Sequence, residues 1–346
     1  TLRSLTGIQN IFTLNNLDAN GGGPFPPVDP TLQTPHNSFK SQGNFFFYSQ
    51  EFDLVSPDDQ PFRWVLGLFG ERQVSNIPDF IKTGKDGFTF TGFFAGFGTD
   101  FPALESPWHQ VEDDLAVFGN AQYDFQPDLT VEAGMRFSYN QKKQFTNFLF
   151  GFGFAPPFIP FLNPPGGSSQ HESGDYVDGK IALQWKPTAD DFAYVEASRG
   201  HTVKGINIFP PHDPYRPVEV WEYEVGWKST LLDGHMRTQL DAYYENIGNY
   251  QAVFGFTTGG GGGIGVVNGS ETRNAETRSN IWGIEASGQG NWDNFSLDFG
   301  AAYLNSQIGR FSNVINQFSF VSPFIGNPVA AAEAAAFGTN CDTASP

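Results

Sequence analysis

Few side chains in this 346-residue sequence are spaced for chemistry. The densest group is His109-Gln110-Val111-Glu112-Asp113-Asp114, whose oxygen ligands could hold a hard cation. So acidic a run also reads as the solvated entry to a strand, and that reading is preferred. The six histidines stand at 36, 109, 171, 201, 212 and 235, and none forms the His-x-x-x-His spacing of a zinc hydrolase. Gly259 to Gly263 lacks the Gly-Lys-Ser/Thr that a phosphate loop requires, so it reads as a flexible loop. Glu222 and Glu224 are better explained as wall charge than as an acid and a base. One cysteine, Cys341, can build neither a disulfide framework nor a cysteine zinc site within the chain. No Ser/His/Asp or Cys/His constellation stands out. The expectation is therefore no catalytic residue, no metal site, no cofactor and no enzyme activity.

Residues suited to binding are easier to find. Phe93 and Phe94 lie in FTFTGFFAGFGTDF from Phe88, and Phe152 and Phe154 in FLFGFGFAPPFIPF from Phe148. Aromatic loops of this kind mark a surface for an apolar or aromatic ligand face. The competing reading is that the loops pack on one another as a lid. Arg199, His201 and Lys204 bring basic groups together near the end of a strand, where they would grip an anionic ligand. Their ordinary role would be strand-end pairing.

The elements that must position these residues are strands. In VWEYEVGWKSTLLDGHMRTQLDAYYEN (220–246), Trp221, Tyr223, Val225 and Trp227 alternate with Glu222, Glu224, Gly226 and Lys228. After Leu231-Leu232-Asp233-Gly234 the alternation resumes as Met236, Thr238, Leu240, Ala242 and Tyr244 against Arg237, Gln239, Asp241, Tyr243 and Glu245. Period 2 on both sides of a short turn predicts an antiparallel hairpin. The pattern recurs across Leu115–Tyr139, Ile181–Ala197, Trp282–Tyr303 and Asn44–Val74, giving about eleven strands of roughly 9 to 18 residues. Short turns at 56–61, 126–128, 187–190, 231–234 and 291–294 alternate with long loops at about 15–43, 76–109, 144–175, 204–216, 255–277 and 309–346.

Such strands exceed the usual five or six residues of soluble sheets and suit a tilted path through a bilayer. Trp185, Trp227, Trp292, Phe125 and Phe295 sit beside the short turns, where an aromatic girdle would lie. The fold expected is therefore all-β, a transmembrane antiparallel up-and-down β-barrel with its apolar parity on lipid and its charged parity on a wet lumen. No run of 18 clean apolar residues exists for a membrane-spanning helix. With 37 acidic against 19 basic residues and a net charge of −18, nucleic-acid binding is disfavoured.

Five blocks carry a family resemblance: 48–72, 113–145, FAYVEASRGHTVKGINI (192–208), 216–251 and 274–292. Together they resemble the TonB-dependent outer-membrane receptors. The resemblance implies a 22-stranded barrel with a plugged lumen. It also implies residence in the outer membrane of a Gram-negative bacterium, contact with its lipid, and energy drawn from the TonB complex through the plug. Uptake of a large scarce nutrient follows, an iron-siderophore complex first, cobalamin or a glycan next. Ahead of Thr1 there is no plug or coupling box, so residues 1–346 are read as about half of such a barrel. The alternatives are a passive porin-like channel and a soluble β-sandwich or adhesin.

Overall fold

The computed structural model describes residues 1–18, 37–83, 101–147, 149–150, 159–160, 167–208, 213–259 and 266–312. Eleven long strands run β1 (Leu2–Asp18), β2 (Asn37–Val55), β3 (Phe62–Thr83), β4 (Phe101–Gln126), β5 (Leu129–Thr146), β6 (Ser168–Trp185), β7 (Asp191–His201), β8 (Glu219–Leu231), β9 (Met236–Gly248), β10 (Ser279–Trp292) and β11 (Phe295–Gln307). Each pairs antiparallel with the next, so the sheet is a meander, with the two-residue strands 149–150 and 159–160 added beside β4. β1 and β11 are its edges among the described residues.

The alternation read from the sequence is physically inverted relative to a soluble protein. Val225, Met135 and Leu68 are 56%, 65% and 59% exposed, while Glu132, Asn140 and Asp241 are buried. The apolar side chains share one face of a single sheet, and no second sheet covers them among the described residues. A sandwich would interleave those rings, so the sandwich reading fails. On the opposite face polar groups satisfy one another. Glu132 accepts from Asn120 (2.9 Å), Gln122 (3.2 Å) and Gln184 (3.0 Å) and pairs with Lys180 at 2.8 Å. Burying a carboxylate requires such partners.

The register gives the slope of the strands. Phe62, the first residue of β3, faces Tyr123, and the row continues through Val131, Leu183, Val195, Val225, Ala242 and Ile284 to Tyr303. Tyr303 lies eight residues into β11, so eight strand-to-strand steps shift the row by eight residues. One residue of about 3.3 Å per interstrand step of about 4.8 Å corresponds to a tilt of about 35°, within the range of barrel walls.

The short turns fall where the sequence predicts. At the β8–β9 turn, Leu232, Asp233 and Gly234 all have positive φ, at 55°, 55° and 91°. Glycine relieves the last of these at no steric cost. At the other end, pairing continues into stretches expected as loops: β1 reaches Asp18, β2 starts at Asn37, β3 runs to Thr83, and β4 starts at Phe101. Likewise 251–259 and 266–274 form a hairpin, expected in part as loop. Backbone pairing needs no lipid, and so it outlasts the apolar alternation.

Candidate ligand-contact site at the outer rim

The wall opens at its long-loop end between β6 and β7. β5 pairs with β6 along its full length, but β7 pairs with β6 only from Gly179 to Trp185. Side chains take over from the missing ladder. Arg199 donates to the Val177 carbonyl, and His201 Nδ1 meets Asp178 Oδ1 at 2.5 Å. The His201 ring stacks on Tyr176 with centroids 4.0 Å apart and planes 10° from parallel. Strand-end pairing, the ordinary role expected of these residues, is visible in these contacts.

Beyond β7 the chain folds back as a strap, described over residues 202–208 and 213–218. Lys204 N donates to Tyr176 Oη at 3.0 Å, and Lys142 Nζ donates to the Lys204 carbonyl at 3.3 Å. Lys142 also pairs with Glu112 at 3.2 Å. Within the strap, Gly205–Ile206 pairs with Pro214–Tyr215, and the Tyr215 ring occupies the space over Gly205, where an added Cβ would lie 1.8 Å from it. Burial pushes the Tyr215 hydroxyl's pKa up. Asn207 ties the strap to the 251–274 hairpin, donating to the Thr272 carbonyl at 3.0 Å and accepting from Thr272 N at 2.6 Å. Arg216 N donates to Asn274 Oδ1 at 2.7 Å, and Gln251 donates to the Arg216 carbonyl at 2.8 Å. The segment after β11 joins the same assembly through Arg310 and Ser312, which both bind Glu276. The Ser312 hydroxyl and the Arg310 charge together hold the Glu276 carboxyl below its usual pKa.

Arg199, His201 and Lys204 all line one cleft of about 510 Å³, closed by Tyr176, Asp175 and Glu219. The three do not share one face of the wall. Arg199 faces Trp221 across the strands, on the outward parity; its guanidinium lies over the Trp221 ring at 5.8 Å and 3.6 Å from Glu219. His201 and Lys204 lie inward, on Tyr176. A second cleft, of about 430 Å³, lies between strap and hairpin, where Arg216, Glu271, Asn274 and Phe311 meet. Phe93, Phe94, Phe152 and Phe154 lie outside the described residues.

Strand parity divides the acidic run at 109–114. His109 and Asp113 point outward, the first to Asn76 (2.5 Å), the second to Arg72. Glu112 and Asp114 point inward, to Lys142 and Arg136. Among the described residues no His/Cys/Asp/Glu group could hold a metal ion. Glu224 accepts from Tyr194, and Glu222 faces Glu245, consistent with wall charge. Sequence reasoning missed Tyr176, Lys142 and Asn207, because their partners lie 28, 62 and 65 residues away and leave no local signal.

Residues 4–339 match the family model described as TonB dependent receptor-like, beta-barrel. Among solved structures, the ferric yersiniabactin uptake receptor of Yersinia pestis is similar at 14% identity, with a TM-score of 0.63 over 88% of this chain and 40% of that one. A siderophore receptor from Acinetobacter baumannii is 15% identical, with a TM-score of 0.53 over 79% of this chain and 39% of that one. A ferric citrate transporter is 12% identical, with a TM-score of 0.54 over 88% of this chain and 40% of that one. The chain thus spans about 40% of the length of these proteins. At such identities the likeness concerns the fold.

Proposed function

The chain belongs to the TonB-dependent receptor β-barrel family, whose members are transport receptors of the Gram-negative outer membrane, and on that premise we propose that it is part of the wall of a receptor for energy-coupled uptake of a ferric chelate. The observation that carries this reading is the family match over residues 4–339. The three similar structures, a ferric yersiniabactin uptake receptor, a siderophore receptor and a ferric citrate transporter, favour an iron chelate over cobalamin or a glycan. In this reading the outward apolar face meets outer-membrane lipid. The full protein couples to the TonB complex through a plug in the lumen. Chelate is captured at the outer rim by His201 and Lys204, by Arg199 at the margin of their cleft, and by Phe93, Phe94, Phe152 and Phe154 in the loops.

Arg199, His201 and Lys204 each have a carboxylate neighbour, Glu219, Asp178 and Glu172, yet three basic groups gathered at one rim of a strongly acidic chain suit an anionic chelate, since attraction concentrates where the background charge is opposite. Deleting the full-length gene should abolish growth on at least one ferric chelate as sole iron source, with rescue by the gene and no rescue when TonB is also deleted. Unchanged growth on a panel of ferric hydroxamates, catecholates and citrate would count against the reading. Growth that is lost but does not depend on TonB would favour the passive channel.

A further inference from the structure

Two bonds fix which way each backbone group of β6 points. Lys186 N, just past the end of β6, donates to the Asp128 carbonyl beside β5 at 2.7 Å, and the Val177 carbonyl accepts from Arg199 of β7. In an antiparallel strand the N–H and C=O of one residue turn to the same neighbour and alternate along the chain, so even-numbered residues of β6 bond to β5 and odd-numbered ones face β7. β7 answers them only from Gly179 to Trp185. Above that, Ser169, His171, Ser173 and Asp175 each present an N–H and a C=O with no ladder partner among the described residues. The break falls where β6 leaves the apolar band: its outward residues run Leu183, Ile181, Gly179 and Val177, then Asp175, Ser173, His171 and Ser169. Unpaired backbone groups are costly in hydrocarbon and are satisfied by water outside it. Val177, the last apolar position, has its carbonyl covered by Arg199, so the edge is open only above the band.

Part of this edge, from Ser173 to Val177, lines the cleft of about 510 Å³. At about 3.3 Å per residue it offers about 16 Å of backbone. Lys204, Pro217 and Glu219 line the same cleft from the strap and β8. A lone extended chain fits beside β6 at the usual strand spacing of about 4.8 Å, whereas the edge of a second sheet would bring its own neighbours and does not enter. The edge carries none of the devices that commonly blunt one: residues 168–178 contain no proline or lysine, and their register with β5 has no bulge. On its outward side Asp175 is exposed and makes no hydrogen bond or ion pair among the described residues. That carboxylate is a partner for one added cation.

We propose that the upper edge of β6 is a strand-addition site, at which Ser169, His171, Ser173 and Asp175 bond backbone to backbone with an extended segment of a partner protein that sets a lysine or arginine against Asp175. The inference goes beyond the transport reading and does not depend on it. A cargo bonded into the plane of the wall would be held off the path through the lumen, so the occupant is a partner and not a transported ligand. A second copy of this chain would bring a like net charge of −18 and a whole sheet edge, which suits the cleft less well.

The test uses the full-length protein in mild detergent, as wild type, as Ser173→Pro and as Asp175→Lys. Ser173→Pro removes an N–H aimed into the cleft and leaves the β5 ladder whole, because Ser173 is odd-numbered. The probes are fluorescent peptides that alternate threonine or valine with lysine, the same peptides with every backbone N–H methylated, and a set with glutamate in place of lysine; binding is read by fluorescence anisotropy. The expected result is binding of the lysine peptides by wild type, at least tenfold weaker binding of the methylated ones, and at least a fivefold loss in Ser173→Pro. Asp175→Lys should weaken the lysine peptides at least threefold and favour the glutamate set. Equal affinity of wild type for plain and methylated peptides would reduce the contact to charge attraction and overturn the site, as would no binding of the plain peptides or unchanged affinity in Ser173→Pro. Peptide-free dimerisation that Ser173→Pro abolishes would make the occupant a second copy and overturn the partner. Heat-modifiable gel migration checks the fold of each variant; should Ser173→Pro lose it, the methylated peptides on wild type and the charge reversal at Asp175 decide.

Discussion

Tyr176 holds His201 by its ring and the strap by its hydroxyl, so the two contacts can be separated by one oxygen atom. In Tyr176→Phe the stack remains and the hydrogen bond from Lys204 N is lost. A neutral hydrogen bond contributes about 1 kcal/mol net, so the strap should open roughly fivefold more often. Limited proteolysis should then cut within 202–218 faster, with strand content by circular dichroism unchanged; equal cleavage would show that the hydroxyl does not hold the strap. Gly205→Ala should go further, because a Cβ there collides with the Tyr215 ring. At the short-turn rim, Arg63 grips Asp124 through both carboxylate oxygens, at 2.6 and 2.8 Å. The hydrogen bonds from Arg63 and Thr130 hold the Asp124 pKa down from 3.8 to about 2. A folded-state pKa below the unfolded one gives stability that is present above about 3.9 and lost as pH falls towards 2. Thermal melts of Asp124→Asn should therefore show a shallower fall than wild type between pH 4 and pH 2, and parallel curves would contradict the assignment.

Along a strand, whether a side chain can be exchanged depends on the face it occupies. Val225→Arg places a cation on the outward face near the middle of β8 and should cost about 2 to 4 kcal/mol in refolding into bilayers. Ser198→Arg, on the inward face of β7, should change stability by roughly 0.5 kcal/mol or less. Equal costs for the two would refute the assignment of faces. This division was legible in the sequence because it is local: each residue takes one face of the sheet or the other by itself, so Trp221, Tyr223, Val225 and Trp227 announce their side without reference to any partner. The parity of Arg199 was legible too, since it shares odd numbering with Ala193, Val195 and Ala197. The notch between β6 and β7 was not legible. Nothing in the period of β6 marks Gly179 as the place where its partner leaves, and the groups that fill the gap come from other strands and from the strap. The 251–274 hairpin escaped notice for a related reason: it is paired through its backbone, and its sequence includes the glycine run at 259–263.

Taken whole, the sheet has two long edges, β1 and β11, among the described residues. Unpaired backbone groups in hydrocarbon cost several kcal/mol each, so these edges require partner strands in a membrane. Residues 1–346 expressed alone in detergent should therefore associate through them and fail to migrate as a heat-modifiable monomer, whereas the full-length protein should do so; a monodisperse, heat-modifiable segment would show that the edges close on themselves. The slope of the rows also bears on anything that descends through such a wall. Phe62 stands at the bottom of β3, yet the partner-to-partner path from it ends at Tyr303, high on β11. Bonded neighbours are therefore not neighbours in depth: the inner surface is a spiral staircase, and a cargo sinking straight down would meet successive strands on successive treads.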